Sequence, residues 1–221
     1  MQTILRYLVK LGSVSTLTAV TLLLPGCAST PDEKQSSANQ AVSPTGVTLH
    51  KDKDIQGVWL ANGFAFKGYD AVYIGDTVFK AEERSNEVEA RGAAMRVLPF
   101  EMADAIKQTS LFPVVTTRAE DLKPDTKTLK FANTITEYQK GGGGARYFAG
   151  MFGGGQPVIK VRGEVRDGDS LVCVYEIRRS GESAGARMNG VFMKDEDIQR
   201  NDIQDLAKDF ADFIKRTAAT K

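Results

Sequence analysis

The sequence predicts a single α/β domain: a mixed or mainly antiparallel sheet of about five strands, with two or more helices packed on it. Three observations carry this prediction. Residues 158–166, VIKVRGEVR, alternate with period two, placing Ile159, Val161 and Val165 on one side and Lys160, Arg162, Glu164 and Arg166 on the other. From Asn86 to Thr109 the apolar residues Ala94, Leu98, Met102, Ala105 and Ile106 recur at three and four, as on a helix. About Asp195 to Arg216, the residues Ile203, Leu206, Ala207, Phe210, Phe213 and Ile214 form one helical stripe, with Asp205, Lys208, Asp209 and Asp212 facing away.

The remaining elements follow in chain order. GVWLA (57–61) and YDAVYIG (69–75) are short, rich in β-branched and aromatic residues, and separated by the turn chemistry of ANGFAFKG. Pro99 falls inside the first helical pattern, so a kink or a helix that restarts with Pro99 in its first turn is expected. FPVVTT (112–117) reads as a strand. TLKFANTITEY (128–138) alternates as a half-buried strand, with Leu129, Phe131 and Ile135 inward. Asp167-Gly168-Asp169 is a hairpin signal, after which LVCVYEI (171–177) is expected to return antiparallel. A weaker strand is expected around Met188 to Met193, and the last helix is expected to cover one face of the sheet.

Before all of this stands MQTILRYLVKLGSVSTLTAVTLLLPGC. Arg6 and Lys10 make a positive start, and Leu11 to Leu24 carries only small, apolar or hydroxyl residues, as in a secretory signal peptide. That stretch is short for a membrane span. Leu24-Pro25-Gly26-Cys27 resembles the bacterial lipobox, which implies cleavage after residue 26 and lipid attachment at Cys27. Ala28 follows where an aspartate would resemble an inner-membrane retention signal, so outer-membrane sorting is expected. Several acyl chains hold firmly, because each buried methylene contributes about 0.8 kcal/mol and one chain alone is marginal. Residues 27–53 are polar, Ser-rich and poor in large apolar residues, and read as a flexible tether ending in a solvated His50. The domain is expected over 54–221, on the periplasmic side.

Composition narrows the function. Loss of residues 1–26 leaves 27 basic against 28 acidic residues, interleaved rather than massed, so nucleic acid is not an expected partner. Of two cysteines, Cys27 is consumed by lipid, and Cys173 lies in an apolar run as a small buried hydrophobe without a disulfide partner. One histidine and one spare cysteine cannot furnish a metal set, and no histidine stands in the folded part to activate a serine or cysteine. No metal, cofactor or catalytic residue is therefore expected. The acid clusters Glu82/Glu83 and Asp195/Glu196/Asp197 read as solvated or helix-end charge.

The segment 141–155, GGGGARYFAGMFGGG, is left to explain. It matches neither a P-loop, which needs Gly-Lys-Ser/Thr after its glycines, nor a GxGxxG frame. Its two glycine runs bracket Tyr147, Phe148, Met151 and Phe152 at the spacing of one helical turn. Each such glycine costs about 0.5–1 kcal/mol relative to alanine, a burden an inert loop would not need. The apolar turn either folds onto its own domain or is offered to a partner or bilayer.

Residues 144–150 (GARYFAG) and 153–155 (GGG), followed by the strand 158–166 and the hairpin at Asp167-Gly168, resemble the bacterial lipoprotein family called domain of unknown function 4410. The resemblance spans about Trp59 to Phe213, and is strongest in the loop and hairpin. Where that family has an Asp-x-x-Thr-Gly turn, this chain has Asp167-Gly168-Asp169-Ser170. The resemblance implies an extracytoplasmic lipoprotein with no assigned activity. A more distant likeness is to the lipoprotein subunit of the curli secretion channel. In that system part of the chain lines a barrel, but 145–152 is too short for such a strand, and the outer side of 158–166 is charged.

The expectation is a non-enzymatic, outer-membrane-anchored lipoprotein that binds another envelope protein through Arg146, Tyr147, Phe148, Met151 and Phe152, since aromatic and Arg residues are common interface anchors. The alternatives are a homo-oligomeric secretion or pore subunit, and a hydrolase that uses surface carboxylates.

Overall fold

The computed structural model describes residues 46–82, 87–141, 156–181 and 195–219. All of them belong to one compact unit. The strand expected around Met188 to Met193 lies outside the described residues.

Seven strands form one open, mixed sheet: β1 (Gly57–Leu60), β2 (Ala71–Ile74), β3 (Val78–Phe79), β4 (Val114–Thr116), β5 (Thr128–Gln139), β6 (Val158–Asp167) and β7 (Ser170–Arg179). Two long helices, α1 (Val88–Gln108) and α2 (Asp195–Ala219), accompany it. The spatial order is β1-β7-β6-β5-β2-β4, with β3 beside β5. The β1, β7, β6 and β5 neighbours run antiparallel, whereas β2 pairs in parallel with both β5 and β4. Parallel neighbours need a long crossover, and α1 supplies it between β2 and β4. About five strands were expected against seven observed; only β3, two residues long and too short to show any period, has no counterpart among the segments read as strands, and β2 and β4 are three or four residues each.

The helix-facing side of the sheet is the alternating set read from the sequence. Leu129, Phe131, Ile135, Val161, Val165 and Ile177 are each at most 1 % exposed. Above them lie Leu98, Met102 and Ile106 of α1 and Ile203, Leu206, Phe210, Phe213 and Ile214 of α2. Each such side chain contributes about 1.5–3 kcal/mol by leaving water. A bulge between Ile135 and Glu137 advances the register of β5 by one residue, which is why Tyr138 faces inward although strict alternation from Leu129 would turn it outward.

Of the two alternatives at Pro99, the restarted helix is not what forms: α1 is one helix from Val88 to Gln108 with Pro99 inside it, buried among the core residues of that helix. Packing of the ring against the core holds together a helix that local propensity alone would interrupt. Asp209, expected to face away on the last helix, instead pairs with Arg179 of β7. The β6/β7 hairpin is as predicted: Gly168 and Asp169 alone make its turn, and Gly168 supplies the positive φ of 57°.

One polar group is built into the core. Tyr175 is fully buried and stacks on Phe210 with ring centroids 3.9 Å apart. Its hydroxyl donates to Asn133 Oδ1 on β5. The ring crosses β6 at Gly163, where any Cβ would collide with it. Gly163 is therefore a close-approach glycine, and not a flexible point.

The ordered chain begins before β1. His50 bridges Val58 through two backbone hydrogen bonds of 2.8 Å, so the sheet takes in part of the stretch that composition reads as tether. The His50 side chain is exposed. Arg216 of α2 then clasps Asp52 with two hydrogen bonds of 2.7 and 2.8 Å and Asp54 with one of 3.0 Å.

Candidate functional site

The topology gathers several ends at one edge of the domain: the close of β5, the start of β6, the close of β7, strand β3, and the first turns of α1 and α2. Segments 142–155 and 182–194 both leave from this edge. The expected contact residues Arg146, Tyr147, Phe148, Met151 and Phe152 lie outside the described residues, as does Cys27. What the structure describes is the pair of feet on which the glycine-rich segment stands.

The first foot is the end of β5. The backbone N–H of Lys140 donates to Glu87 Oε1 at 2.9 Å, and Glu87 is 7 % exposed. Gly141 follows with φ 83°, a conformation that favours glycine and turns the chain out of the sheet. Beneath it, Tyr138 packs edge-on against Phe79 of β3 at 5.9 Å and donates its hydroxyl to Gln199 Oε1 of α2 at 3.0 Å. The Arg91 guanidinium of α1 lies 4.8 Å from the Phe79 ring centroid. Two helices and two strands thus converge on residues 138–141.

The second foot is the start of β6. Gln156 and Pro157 lie against Gly181, just past β7, where a Cβ would come within 2.5 Å of Gln156 Oε1 and 3.1 Å of Pro157 Cδ. Gly181 has φ 60° and donates its N–H to Asp202 Oδ2 of α2 at 3.0 Å. Asp202 is 1 % exposed. A buried carboxylate accepting a backbone N–H is a strong restraint, because such bonds are short and about twice as strong as neutral ones.

These contacts position the chain. Among the described residues no three His, Cys, Asp or Glu side chains stand where they could hold a metal ion. Burial pushes the Cys173 thiol far up, away from the thiolate that reactivity needs. The Asp209 carboxyl is also raised, first by burial, with the Arg179 guanidinium pulling the other way. At the opposite edge of the domain, beside the hairpin turn, Tyr69 donates to Asp167 Oδ2 at 2.8 Å. Burial and that carboxylate push its phenol up to about 12.

Sequence reading found the glycine segment but missed its anchors. Asp202 carried a usable signal: it lies four residues from both Ile198 and Leu206, on the apolar stripe, where a solvated acid has no place. Glu87 and Gln156 carried none, because their partners are 53 residues away in one case and a glycine in the other.

Fold and site together define a protein class: an open mixed α/β sheet, helices on one side, in which residues 138–141 and 156–157, on either side of the glycine-rich segment, are held by buried contacts. No protein-family model matches the chain, and no curated protein does. Solved structures similar to it include a dodecamer of PelC from Paraburkholderia phytofirmans, at 13 % identity and TM-score 0.44, covering 70 % of this chain and 96 % of that one. A hypothetical protein from Chlamydia trachomatis is 11 % identical, with TM-score 0.40 and coverage of 69 % and 99 %. A family DUF330 protein from Xanthomonas campestris is 9 % identical, with TM-score 0.40 and coverage of 72 % and 90 %. At these values the likeness carries no argument about function. No helix among the described residues is long and apolar enough to cross a membrane.

Proposed function

We propose that this chain is a lipid-anchored, non-enzymatic component of the bacterial cell envelope that binds another envelope protein through its glycine-rich segment. The lipobox-like Leu24-Pro25-Gly26-Cys27 supports attachment through Cys27 to the periplasmic face of the outer membrane. The resemblance of 144–168 to the domain of unknown function 4410 lipoproteins supports the same compartment. The observation that carries the binding reading is the pair of feet. Buried Glu87 holds the backbone at Lys140, before a segment rich in aromatic residues and glycine, and Asp202 holds Gly181, against which Gln156 and Pro157 after that segment rest. Fixed ends limit the ordering entropy lost when such a segment closes on a partner, which favours affinity.

A photo-crosslinking side chain at position 148, introduced in living cells, tests this. Capture of a discrete envelope protein, lost in the Tyr147→Ala/Phe152→Ala variant that still folds, is the expected result. A folded double variant that keeps every captured partner overturns the assignment of the segment as the contact. The same gel addresses assembly, since a crosslink to a second copy of this chain would make the segment a homo-oligomeric interface instead.

A further inference from the structure

The outer side of the helix layer is open to solvent and carries a charge pattern of its own. Glu101 of α1 accepts from Gln204 of α2 at 3.1 Å, and a groove of about 450 Å³ runs between the two helices. Four residues of α2 that line it, Asp205, Lys208, Asp212 and Lys215, alternate in charge. Lys208, Asp212 and Lys215 are exposed, and Asp205 is half-buried. Their spacing of three, four and three sets them on one stripe of the helix. Neighbours at such spacings can pair along a helix, yet among the described residues none of the four side chains forms an ion pair or a hydrogen bond. The two acids instead crowd Asp209, whose carboxyl burial raises first, Arg179 draws back, and Asp205 and Asp212 push up again. On α1, Phe100 is 61 % exposed, the most open of the large apolar side chains described, and it stands one turn before Asp104, which also lines the groove.

The stripe is its own complement when reversed: acid, base, acid, base at three, four and three becomes base, acid, base, acid at the same spacing. A second α2 laid antiparallel across it, about a two-fold axis beside residue 210, sets Asp205 of each copy opposite Lys215 of the other, and Lys208 opposite Asp212. A two-fold contact requires just such a patch, one that matches itself. We propose that the outer side of α1 and α2 is the interface of a homodimer, with the two α2 stripes paired in this way and Phe100 of each copy adding an apolar contact at the flank. The area suffices. Helices of 21 and 25 residues, about 31 and 37 Å long and each about 10 Å wide, offer about 700 Å² per copy, close to the roughly 800 Å² per partner of a standard interface. The overall charge also suits a second copy. Among the described side chains of the two helices, four acids and five bases are fully exposed, a balance that favours neither a polyanion nor a strongly basic partner. This surface shares no residue with the glycine-rich segment or its supports, and either reading can fail without the other.

Two charge-swapped full-length chains test it: Asp205→Lys/Asp212→Lys, whose stripe is all basic, and Lys208→Asp/Lys215→Asp, whose stripe is all acidic. Sedimentation velocity in density-matched detergent follows the native chain, each variant alone, and the two variants mixed, with circular dichroism as the check that each one folds. The native chain is expected to dimerise, with a Kd that rises with salt. Each variant alone is expected to dimerise at least about tenfold more weakly, because every paired contact becomes a like-charge one, and the equimolar mixture is expected to recover the native affinity. Phe100→Ser should raise Kd at least about threefold. A native chain still monomeric at about 100 µM, above the micromolar limit of interfaces of this size, overturns the proposal. So does a dimer indifferent to both swaps, which would place the contact on another surface. A mixture that associates no more tightly than its two components overturns the antiparallel pairing and the proposal with it.

Discussion

Gly163→Ala is the substitution for which the core makes the sharpest demand. An added Cβ would lie well inside 3.0 Å of Cζ, Oη and Cε1 of Tyr175. The ring cannot retreat freely, because it is fully buried and stacked at 3.9 Å on Phe210, which itself packs against Phe131 and Phe213. Overpacking of this kind costs about 1–3 kcal/mol or somewhat more. Displacing the ring also separates its hydroxyl from Asn133, whose buried amide oxygen then forfeits about 1–3 kcal/mol. Replacing glycine within a strand returns about 0.5–1 kcal/mol. The net loss is about 1–5 kcal/mol, centred near 3, a large share of the roughly 5–15 kcal/mol that a domain has. Urea unfolding followed by far-ultraviolet circular dichroism and Trp59 emission measures it. A loss below about 1 kcal/mol would refute the reasoning, since ordinary surface-like substitutions fall in that range. The double variant Gly163→Ala/Tyr175→Leu isolates the cause. With the ring gone, the added methyl enters vacated space, so the two changes should couple by at least about 2 kcal/mol; additivity would show that the clash is not with Tyr175.

Three further outcomes are expected. Tyr69 is held neutral by burial and by Asp167, so its contribution to stability is complete below its ordinary value near 10 and is lost as pH rises through about 12; alkaline absorbance titration should show a late phenolate that Tyr69→Phe removes and Asp167→Asn brings earlier. Burial is the largest single influence on the Asp54 carboxyl and raises it, but Lys53 and Arg216 together outweigh it and hold the group below the ordinary carboxylate range, so its contribution is present above that range and lost as pH falls below it. Because Arg216 is 37 % exposed, Arg216→Gln should cost no more than about 1 kcal/mol globally, while amide exchange over 51–55 accelerates. Cys173, whose thiol is fully buried and raised, should resist thiol reagents in the native Cys27→Ser chain and react once urea unfolds it.

The parts of this fold that were legible in the sequence are those in which one face repeats. Strands β5 and β6 and both helices carry enough turns or alternations for period two or period 3.6 to stand out, and β7, a continuous apolar run, is placed by the Gly168 hairpin signal before it. The illegible parts depend on pairing between distant segments. Nothing local in Ala71–Ile74 says that it lies between β5 and β4 and runs parallel to both. Gly163, Asn133 and Tyr175 look unrelated along the chain, since the hydrogen bond that joins the last two spans 42 residues. The glycine-rich segment was legible as an anomaly of composition, whereas its anchors were legible only in Asp202, where an acid interrupts an apolar stripe.

The two ends of the sheet are built on opposite plans. At the hairpin end, β6 and β7 are joined by two residues, and Tyr69 seals the turn through Asp167. At the other end the same strands, with β5, lead into segments of fourteen and thirteen residues, 142–155 and 182–194. Loop closure penalises such lengths only slowly, so length alone is inexpensive, and the larger cost lies in the freedom of the glycines. Two buried carboxylates are spent at the roots of these segments: Glu87 on the amide of Lys140, and Asp202 on the amide of Gly181, which in turn backs Gln156 and Pro157. A chain selected only to turn from β5 to β6 would have no use for either, because an antiparallel pair closes with two residues. A fixed stem is what a rigid scaffold supplies to a segment that meets something outside the domain.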